Sequence, residues 1–400
     1  MMRDMTVSSD RRPVPRTASN RTASQVNSTV LLDALRAGGA LSRADLARRT
    51  GLSVATVNRL VERLVEDGSV TETGQESATG GRPARLLEFN AAARSVLAID
   101  LGGRRATAAV MDLEARSLAR RERVLSVPMQ SREAARDVFE AVAELASEML
   151  DEARRLKSNV HTACIGVPGV VRTQSGRVDF APALQWFDFP LVALLEERLG
   201  IPVSVENDVN LVALAELRHG VARDRAGVLT ISVGTGVGAA LILDGRLYRG
   251  AAGAAGEAGY TMLDRSSLGS PWPGFGDLES RVGTAGILRR LGDEASDSEE
   301  FLAQVRAGDA PAVTVFDEII DNLALVIGNA SALLNPELIV LSGGFGRAAA
   351  DLLIPAIERR LQGRIPFEPQ IVRAELADAE LIGAAEVAID ASAQSAALVD

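Results

Sequence analysis

The sequence predicts a modular α/β protein, a winged helix-turn-helix followed by a larger two-lobed α/β body. Three observations lead there. Two capped helical patterns meet at a glycine and are followed by two short strands. From about residue 95 the pattern changes to strands broken by glycine turns, and that theme returns around residues 226–250. Charge is also divided, with a basic head on an acidic body that gives the whole chain a net charge of −10. Four hundred residues exceed one ordinary core, so more than one domain is expected. The divisions read from the pattern are an arm at 1–23, a winged helix at 24–90, a first lobe at 91–206 plus 383–400, and a second lobe at 207–382.

Composition excludes several classes. Apolar content of 47% with 24% charged residues suits a globular chain. The longest apolar runs, such as Ala239–Leu243, are far too short to cross a bilayer, and no apolar signal core opens the sequence. A cytoplasmic protein without a membrane partner is expected. Cys164 is the only cysteine, so no disulfide framework exists and a zinc site cannot be built from thiolates. Lys157 is the only lysine, which rules out a Gly-Lys-Ser/Thr phosphate loop. His161 and His219 lie outside the glycine-rich motifs and read as structural.

In the head, the Arg-, Ser- and Pro-rich residues 1–23 show no apolar period and read as a disordered arm. Val26, Val30, Leu31 and Leu35 then form one helical stripe that ends at Gly38-Gly39. Ser42 and Asp45 have capping-box spacing, and Gly51 stops the second helix. Ser53 caps the third, whose Val57, Leu60, Val61 and Leu64 face inward. A short helix, a turn and a longer helix make a helix-turn-helix. The strands "SVTETG" and "PARLLEF" add a wing with a Gly80-Gly81-Arg82-Pro83 tip suited to a minor groove. Arg43, Ser53, Thr56, Arg59, Arg63 and Arg82 are the candidate DNA contacts. A helical interaction module with solvated arginines is the plainer alternative. Helix-turn-helix, basic balance and wing in this order favour DNA.

In the body, "SVLAIDLGGRRATAAVMD" reads as strand, glycine turn, strand, with Asp100 ending the first strand and Gly102-Gly103 in the turn. A hairpin at that place disfavours a dinucleotide fold, which needs a helix there. The second copy, "LTISVGTGVGAALIL", carries Gly234, Thr235, Gly236 and Gly238, and two such hairpins imply two facing lobes. Glycine turns allow backbone N–H groups to approach phosphates. Between the two copies, "VSVENDVNLVALAEL" is a strand running into a helix, with Asn207 and Asp208 at the junction. A carboxamide and a carboxylate there can bond adjacent sugar hydroxyls, and Asp208 can serve as a general base. A helix cap is the plainer reading. Near the end, "LALVIGNASALLNPELIVLSGGFG" gives a long helix, a strand and the Gly343-Gly344 turn, which either holds a nucleotide or packs tightly.

Taken together, "AIDLGGRRATAAVMD", "VENDVNLVALAE", "GTGVGAALILDG", "GAAGEAGY" and "GDLE" resemble the ROK family of repressors, open reading frames and sugar kinases. The resemblance runs from about residue 25 to 390 and implies an actin-like ATPase (ribonuclease H-like) sugar-kinase fold. The winged helix with "GGRPARLLEFN" is similar to the regulator branch. The resemblance implies a sugar held by Asn207, Asp208, Glu257 and Glu279. Tyr260 stands at the family's histidine position and points to a smaller or differently substituted polyol than glucose. Asp100, Gly102, Gly103, Gly234, Thr235, Gly236, Gly238, Gly343 and Gly344 match its nucleotide side. The family's zinc is bound by that histidine and three cysteines, whose places are taken by Tyr260, Ser270, Trp272 and Asp277. No zinc is therefore expected, and packing of Trp272 and Phe275 is expected to hold the loop instead.

Asp208, the family's catalytic base, is kept, but Arg104 replaces a threonine of the first turn. The expected function is a sugar-responsive DNA-binding regulator, a repressor, with no required cofactor. It would be a homodimer or dimer of dimers in which ligand-driven lobe closure alters the spacing of the paired heads on operator DNA. The alternative is an ATP- and Mg-dependent sugar kinase carrying a DNA-binding head, with Asp208 catalytic.

Overall fold

The structure is a computed structural model that describes residues 20–75, 85–125, 132–269, 276–292 and 295–396. The chain divides into two compact units, one comprising the residues up to Asn90 with those from Ser392, the other Ala91–Ala391.

The head contains α1 (Asn20–Gly38), β1 (Leu41–Ser42), α2 (Arg43–Thr50), α3 (Val54–Glu66), β2 (Val70–Gln75) and β3 (Arg85–Phe89). The Ser42 hydroxyl accepts from the Asp45 N–H while the Asp45 carboxylate accepts from Ser42, a complete capping box at the start of α2. Gly51 ends α2 with φ of 70°, a left-handed turn that only glycine adopts cheaply. Ser53 caps α3, accepting from the Thr56 N–H. Leu31, Leu35, Leu46, Leu60 and Leu87 make the core, and the strands form an antiparallel sheet ordered β1-β3-β2.

Two details differ from the pattern reading. Helix α1 begins at Asn20, inside the segment read as an arm. Val30 lies 39% exposed while Leu32 is buried, because the apolar stripe is centred on Leu31 and Leu35. The Val26 side chain, the Gly80–Pro83 tip and Arg82 lie outside the described residues.

The first lobe of the body begins with the meander β4 (Ser95–Leu101), β5 (Arg105–Asp112) and β6 (Ser117–Val124). Helix α4 (Arg132–Arg155) leads to β7 (Val160–Val167) and then to a small hairpin layer of β8 (Val170–Arg172), β9 (Arg177–Ala181) and β10 (Trp186–Phe189). Helix α5 (Leu191–Leu199) returns the chain to β11 (Val203–Asn207), giving a sheet ordered β11-β7-β4-β5-β6. Strands β4 and β5 are almost wholly buried, as central strands should be. The edge strand β6 carries Arg121 and Arg123 paired with Glu144 and Glu148 of α4.

Helix α6 (Asp208–His219) leads into the second lobe, where β12 (Val228–Val233), β13 (Val237–Leu243) and β14 (Arg246–Tyr248) repeat the meander. Then come α7 (Asp277–Val282), α8 (Thr284–Leu291), α9 (Ser298–Ala307), α10 (Ala310–Leu334), β15 (Leu338–Ser342), α11 (Gly344–Ala348), α12 (Ala350–Leu361), β16 (Gln370–Arg373) and α13 (Ala379–Ala396). The second sheet is ordered β14-β13-β12-β15-β16. Each sheet is thus an antiparallel three-strand meander whose first strand pairs in parallel with the fourth, which pairs with the fifth. The repeated hairpins noticed in the sequence are the visible part of this duplicated topology.

Separate cores fill the lobes, one under α4 and α5 and one under α10 and α12. Helices α6 and α13 cross between them. A Cβ at Gly383 of α13 would come within 2.1 Å of the Leu211 carbonyl of α6. Two lobe edges read from the sequence fall inside elements, since β11 runs on to Asn207 and α13 is continuous from Ala379.

Candidate functional site

The junction of β11 and α6 sets the geometry. Asn207 is the N-cap of α6, and its Oδ1 accepts from the Asn210 N–H at 3.0 Å. The plain capping reading is therefore correct, but it uses only half the carboxamide. The Nδ2 donates at 3.1 Å to the Gly169 carbonyl between β7 and β8. Asp208 accepts from the Val209 N–H at 2.9 Å. Burial, then the neighbouring Asp100 carboxylate, then Glu380 and Glu257 push Asp208 up to about 8. Asp100 is pushed up to about 7, first by burial and then by Glu380, against the pull of Arg105 and Arg120. Glu257 is raised by burial and by Glu279, and the Tyr260 phenol by burial and by both glutamates. Carboxyl groups from both lobes thus face one another across one cleft. None of Asp100, Asp208, Glu257, Glu279 or Glu380 forms a salt bridge among the described residues.

Glu279 sits in a cradle made by glycines. Its carboxylate accepts backbone N–H groups of Gly276 and Val237, although burial outweighs them and raises it. A Cβ at Gly236 would lie 2.2 Å from Glu279 Oε1, and one at Gly238 would lie 2.8 Å from Val209 Cγ2. These two glycines, read as phosphate residues, make room for the glutamate and for α6. The Gly234 N–H donates to Gly236 O at 2.9 Å, and the Gly102 N–H to Arg105 O at 2.9 Å, so both amides close their own turns. At those four positions the glycines serve turn closure and close packing. Thr235 belongs to the same turn, and a Cβ at Gly283 would come within 2.8 Å of its carbonyl. Gly103 meets nothing within 4 Å.

The remaining nucleotide-side residues border a cavity of about 300 Å³ beside the carboxyl cluster. Asp100, Gly343 and Gly344 line it with Arg105, Arg120, Arg347, Asp378 and Glu380. Gly343 has φ of 79°, and a Cβ there would strike the Val233 carbonyl at 2.4 Å, so tight packing accounts for this glycine. Arg120 pairs with Asp378 at 3.2 Å, Arg347 donates to the Leu376 carbonyl, and Arg105 lies 3.7 Å from Glu122. Arg104 is exposed, and its neighbour Arg105 is the residue that faces the cavity.

The family's zinc chemistry does not fit here. Asp277, at one cysteine position, is buried and fully engaged, with the Ser267 hydroxyl, the Leu263 N–H at 2.9 Å and Arg281 Nε at 2.7 Å. Burial opposes its charge, but those donors win and hold it below the ordinary carboxylate range. The Tyr260 ring meets Phe180 edge-on, 6.4 Å between centroids. Ser270, Trp272 and Phe275 lie outside the described residues. Among the described residues no cluster of three or more His, Cys, Asp or Glu side chains could hold a metal ion.

On the head, α3 presents Val54, Ala55, Arg59 and Glu62 to solvent, with Thr56 and Arg63 partly buried. The Ser53 and Thr56 hydroxyls share a hydrogen bond of 2.9 Å at the helix start. Arg43, a candidate DNA contact, also has a partner within the head. It donates to Glu72 of β2 at 2.8 Å, and Arg85 shares the same carboxylate. Val54 is 58% exposed on this face, which the pattern reading did not show because a valine beside a cap looks like a core residue.

Three other residues were missed. Glu206, 1% exposed, accepts from the Asn207 N–H at 3.0 Å and from Asn210 Nδ2 at 2.9 Å, and pairs with Arg249 at 2.7 Å. It stood in the quoted "VENDVN" string, but its partner follows β14, far along the chain. Buried Glu216 accepts from the N–H groups of Val221 and Leu376, tying α6 to the cavity wall. Glu380 had no local signal. His219 bonds buried Glu386 of α13 at 2.8 Å, so its structural reading stands.

Comparison with known proteins defines the class. The ROK family profile matches residues 96–391, and a winged helix-turn-helix DNA-binding profile matches residues 30–71. The chain belongs to the ROK family and carries a DNA-binding head. A putative xylose repressor of Caldicellulosiruptor sp. strain Rt8B.4 is 28% identical over 84% of this chain and 87% of that protein. The DNA-binding transcriptional dual regulator NagC of Escherichia coli K12 is 27% identical over 90% of this chain and 91% of that protein. A ROK family transcriptional regulator, a homologue of the E. coli MLC protein, superposes with a TM-score of 0.82 at 24% identity, covering 94% of this chain and 98% of that one. The two-lobed fold predicted from the sequence is the observed one. No helix among the described residues is long and apolar enough to cross a membrane.

Proposed function

We propose that this protein is a sugar-responsive transcriptional repressor. The winged head binds operator DNA, and the body takes a sugar or sugar derivative through Asn207, Asp208, Glu257, Tyr260 and Glu279. One observation carries the reading. Asp208, Glu257 and Glu279 converge in a desolvated part of the cleft and form no salt bridge among the described residues, and a polyol supplies donors to them. Hydroxyls donate to ionised carboxylates and accept from protonated carboxyls, and adjacent hydroxyls fit adjacent groups. The relatives named as a putative xylose repressor and, in Escherichia coli O6:H1, as an N-acetylglucosamine repressor support a pentose or amino-sugar ligand and the repressor sign. Ligand in the cleft draws the lobes together and lowers operator affinity, for which a coupling of about 1–3 kcal/mol suffices. A homodimer or dimer of dimers matches palindromic half-sites.

The test is calorimetry of the full chain with pentoses, hexoses, amino sugars and their phosphates, followed by operator titration with any binder. Glu257→Ala should abolish the sugar response and leave DNA binding intact. A wild-type protein whose operator affinity ignores every sugar overturns the proposal. Release of ADP from ATP with the bound sugar, lost in Asp208→Asn, would assign the body as a kinase instead.

A further inference from the structure

The rim of the cleft carries a feature that the polar site leaves unused. Phe180 of β9 and Phe187 of β10 are register partners across the hairpin and meet edge-to-face at 5.7 Å. Phe180 also meets Tyr260, from the second lobe, at 6.4 Å. These rings are 36%, 55% and 36% exposed for Phe180, Phe187 and Tyr260. Their neighbours on β10 behave differently, since Trp186 is wholly buried and stacks on Phe189 at 4.7 Å with planes 6° apart. Strand β10 therefore fills its core with one face and leaves Phe187 in water on the other. Leaving a benzyl side chain half hydrated forgoes hydrophobic free energy, and a contiguous aromatic cluster from three elements is unlike scattered surface residues.

The cluster adjoins the polar site. Gly169, whose carbonyl takes the Asn207 Nδ2 hydrogen, lies so close to β9 that a Cβ there would be 2.3 Å from the Phe180 carbonyl. Gly253, on the segment leading to Glu257, is equally close to the Val171 carbonyl of β8. A sugar ring has hydroxyl edges and an apolar C–H face. Carboxylates suit the edges and aromatic rings suit the face. One ring bound among Asn207, Asp208, Glu257, Tyr260 and Glu279 leaves Phe180 and Phe187 for another occupant. We propose that Phe180 and Phe187, bordered by Tyr260 of the polar site, form a second subsite that takes the second sugar ring of a disaccharide or glycoside. This rests on the sugar reading of the polar site.

The test compares matched ligands on the full chain by calorimetry, pairing xylose with xylobiose, glucose with cellobiose, and N-acetylglucosamine with its β-1,4-linked dimer. The dimer of the bound sugar should bind about 10-fold more tightly, equivalent to about 1.4 kcal/mol. Phe187→Ala should bring that ratio to about 1, and Phe187→Tyr should keep it. A monosaccharide that binds as well as its dimer, or a ratio that survives Phe187→Ala, overturns the second subsite and leaves the polar site standing. Failure of both members of every pair to bind removes both readings.

Discussion

Arg249→Ala gives the sharpest test of how the cleft is held together. The guanidinium pairs with Glu206, whose side chain is only 1% exposed and whose other oxygen is already taken by the Asn207 N–H and Asn210 Nδ2. Removing the arginine leaves a buried carboxylate with two neutral donors, a loss of about 3–5 kcal/mol when one partner of a buried pair is deleted. The lower end is expected, because Arg249 is itself 38% exposed and water can follow it in. A body of about 300 residues unfolds with roughly 0.6 kcal/mol/K of entropy, so its transition should fall by about 5–8 °C. Differential scanning calorimetry reads this on the body's own transition, separate from the head's. Arg249→Met combined with Glu206→Gln should recover more than half of the loss, since a neutral amide no longer needs the cation. A single variant that melts within 1 °C of wild type, or a double variant no better than the single, refutes the reasoning.

Five further outcomes follow from the same geometry. Arg59→Ala should weaken operator binding by about 1–3 kcal/mol in an anisotropy titration if the side chain reads a base. Arg43→Ala should instead cost the head about 1 kcal/mol or less in denaturant unfolding, because its exposed pair with Glu72 is structural. Asp208 and Asp100 are raised to about 8 and about 7, so the folded state binds protons that the unfolded state has released. The stability they give is complete below about pH 4 and is lost as pH rises towards 8. Melting should therefore fall between pH 6 and 8.5 in wild type and less in Asp208→Asn, and parallel profiles would refute the assignment. Asp208→Asn should keep sugar affinity within a few fold, since the amide donates and accepts as the protonated acid does, while Asp208→Ala should lose about 1–3 kcal/mol. Dialysis against a chelator should leave the melting temperature unchanged, and a drop would restore a metal to the loop around Asp277.

The parts of the site legible in the sequence were those built on local rules. Capping at Ser42, Ser53 and Asn207, the stop at Gly51, and the two glycine-turn meanders all follow from residue type at fixed spacing. What failed to show was long-range. Glu206 and Arg249 are adjacent only because α6 folds β11 against the second sheet. Glu380 reaches the cleft only because α13 crosses back between the lobes. The close packing at Gly236 and Gly238 was not legible for a related reason. A glycine signals that something comes close, and sequence does not say whether that is a phosphate, a glutamate or a helix. The Arg43 pair with Glu72 did not show because Glu72 lies on β2, where helical periodicity has no view.

The two sides of the cleft differ in what they still lack, and that difference bears on what the body does. On the cavity side the cations that would meet a phosphate chain already have protein partners, Arg120 with Asp378, Arg347 with the Leu376 carbonyl and Arg105 near Glu122. A phosphate entering there has to break those contacts and gains little net free energy from the exchange. Around Asn207 the position is reversed. Asp208, Glu257 and Glu279 are desolvated and face one another, so the empty cleft carries an electrostatic penalty that hydroxyl donors relieve. Any lobe arrangement that draws the carboxylates closer is disfavoured until a polyol lies between them and is favoured once it does. Differential stabilisation of one arrangement by a bound ligand is all that a sensor requires. Under the proposed sugar reading, the donors that a polyol brings to Asp208, Glu257 and Glu279 supply that differential stabilisation.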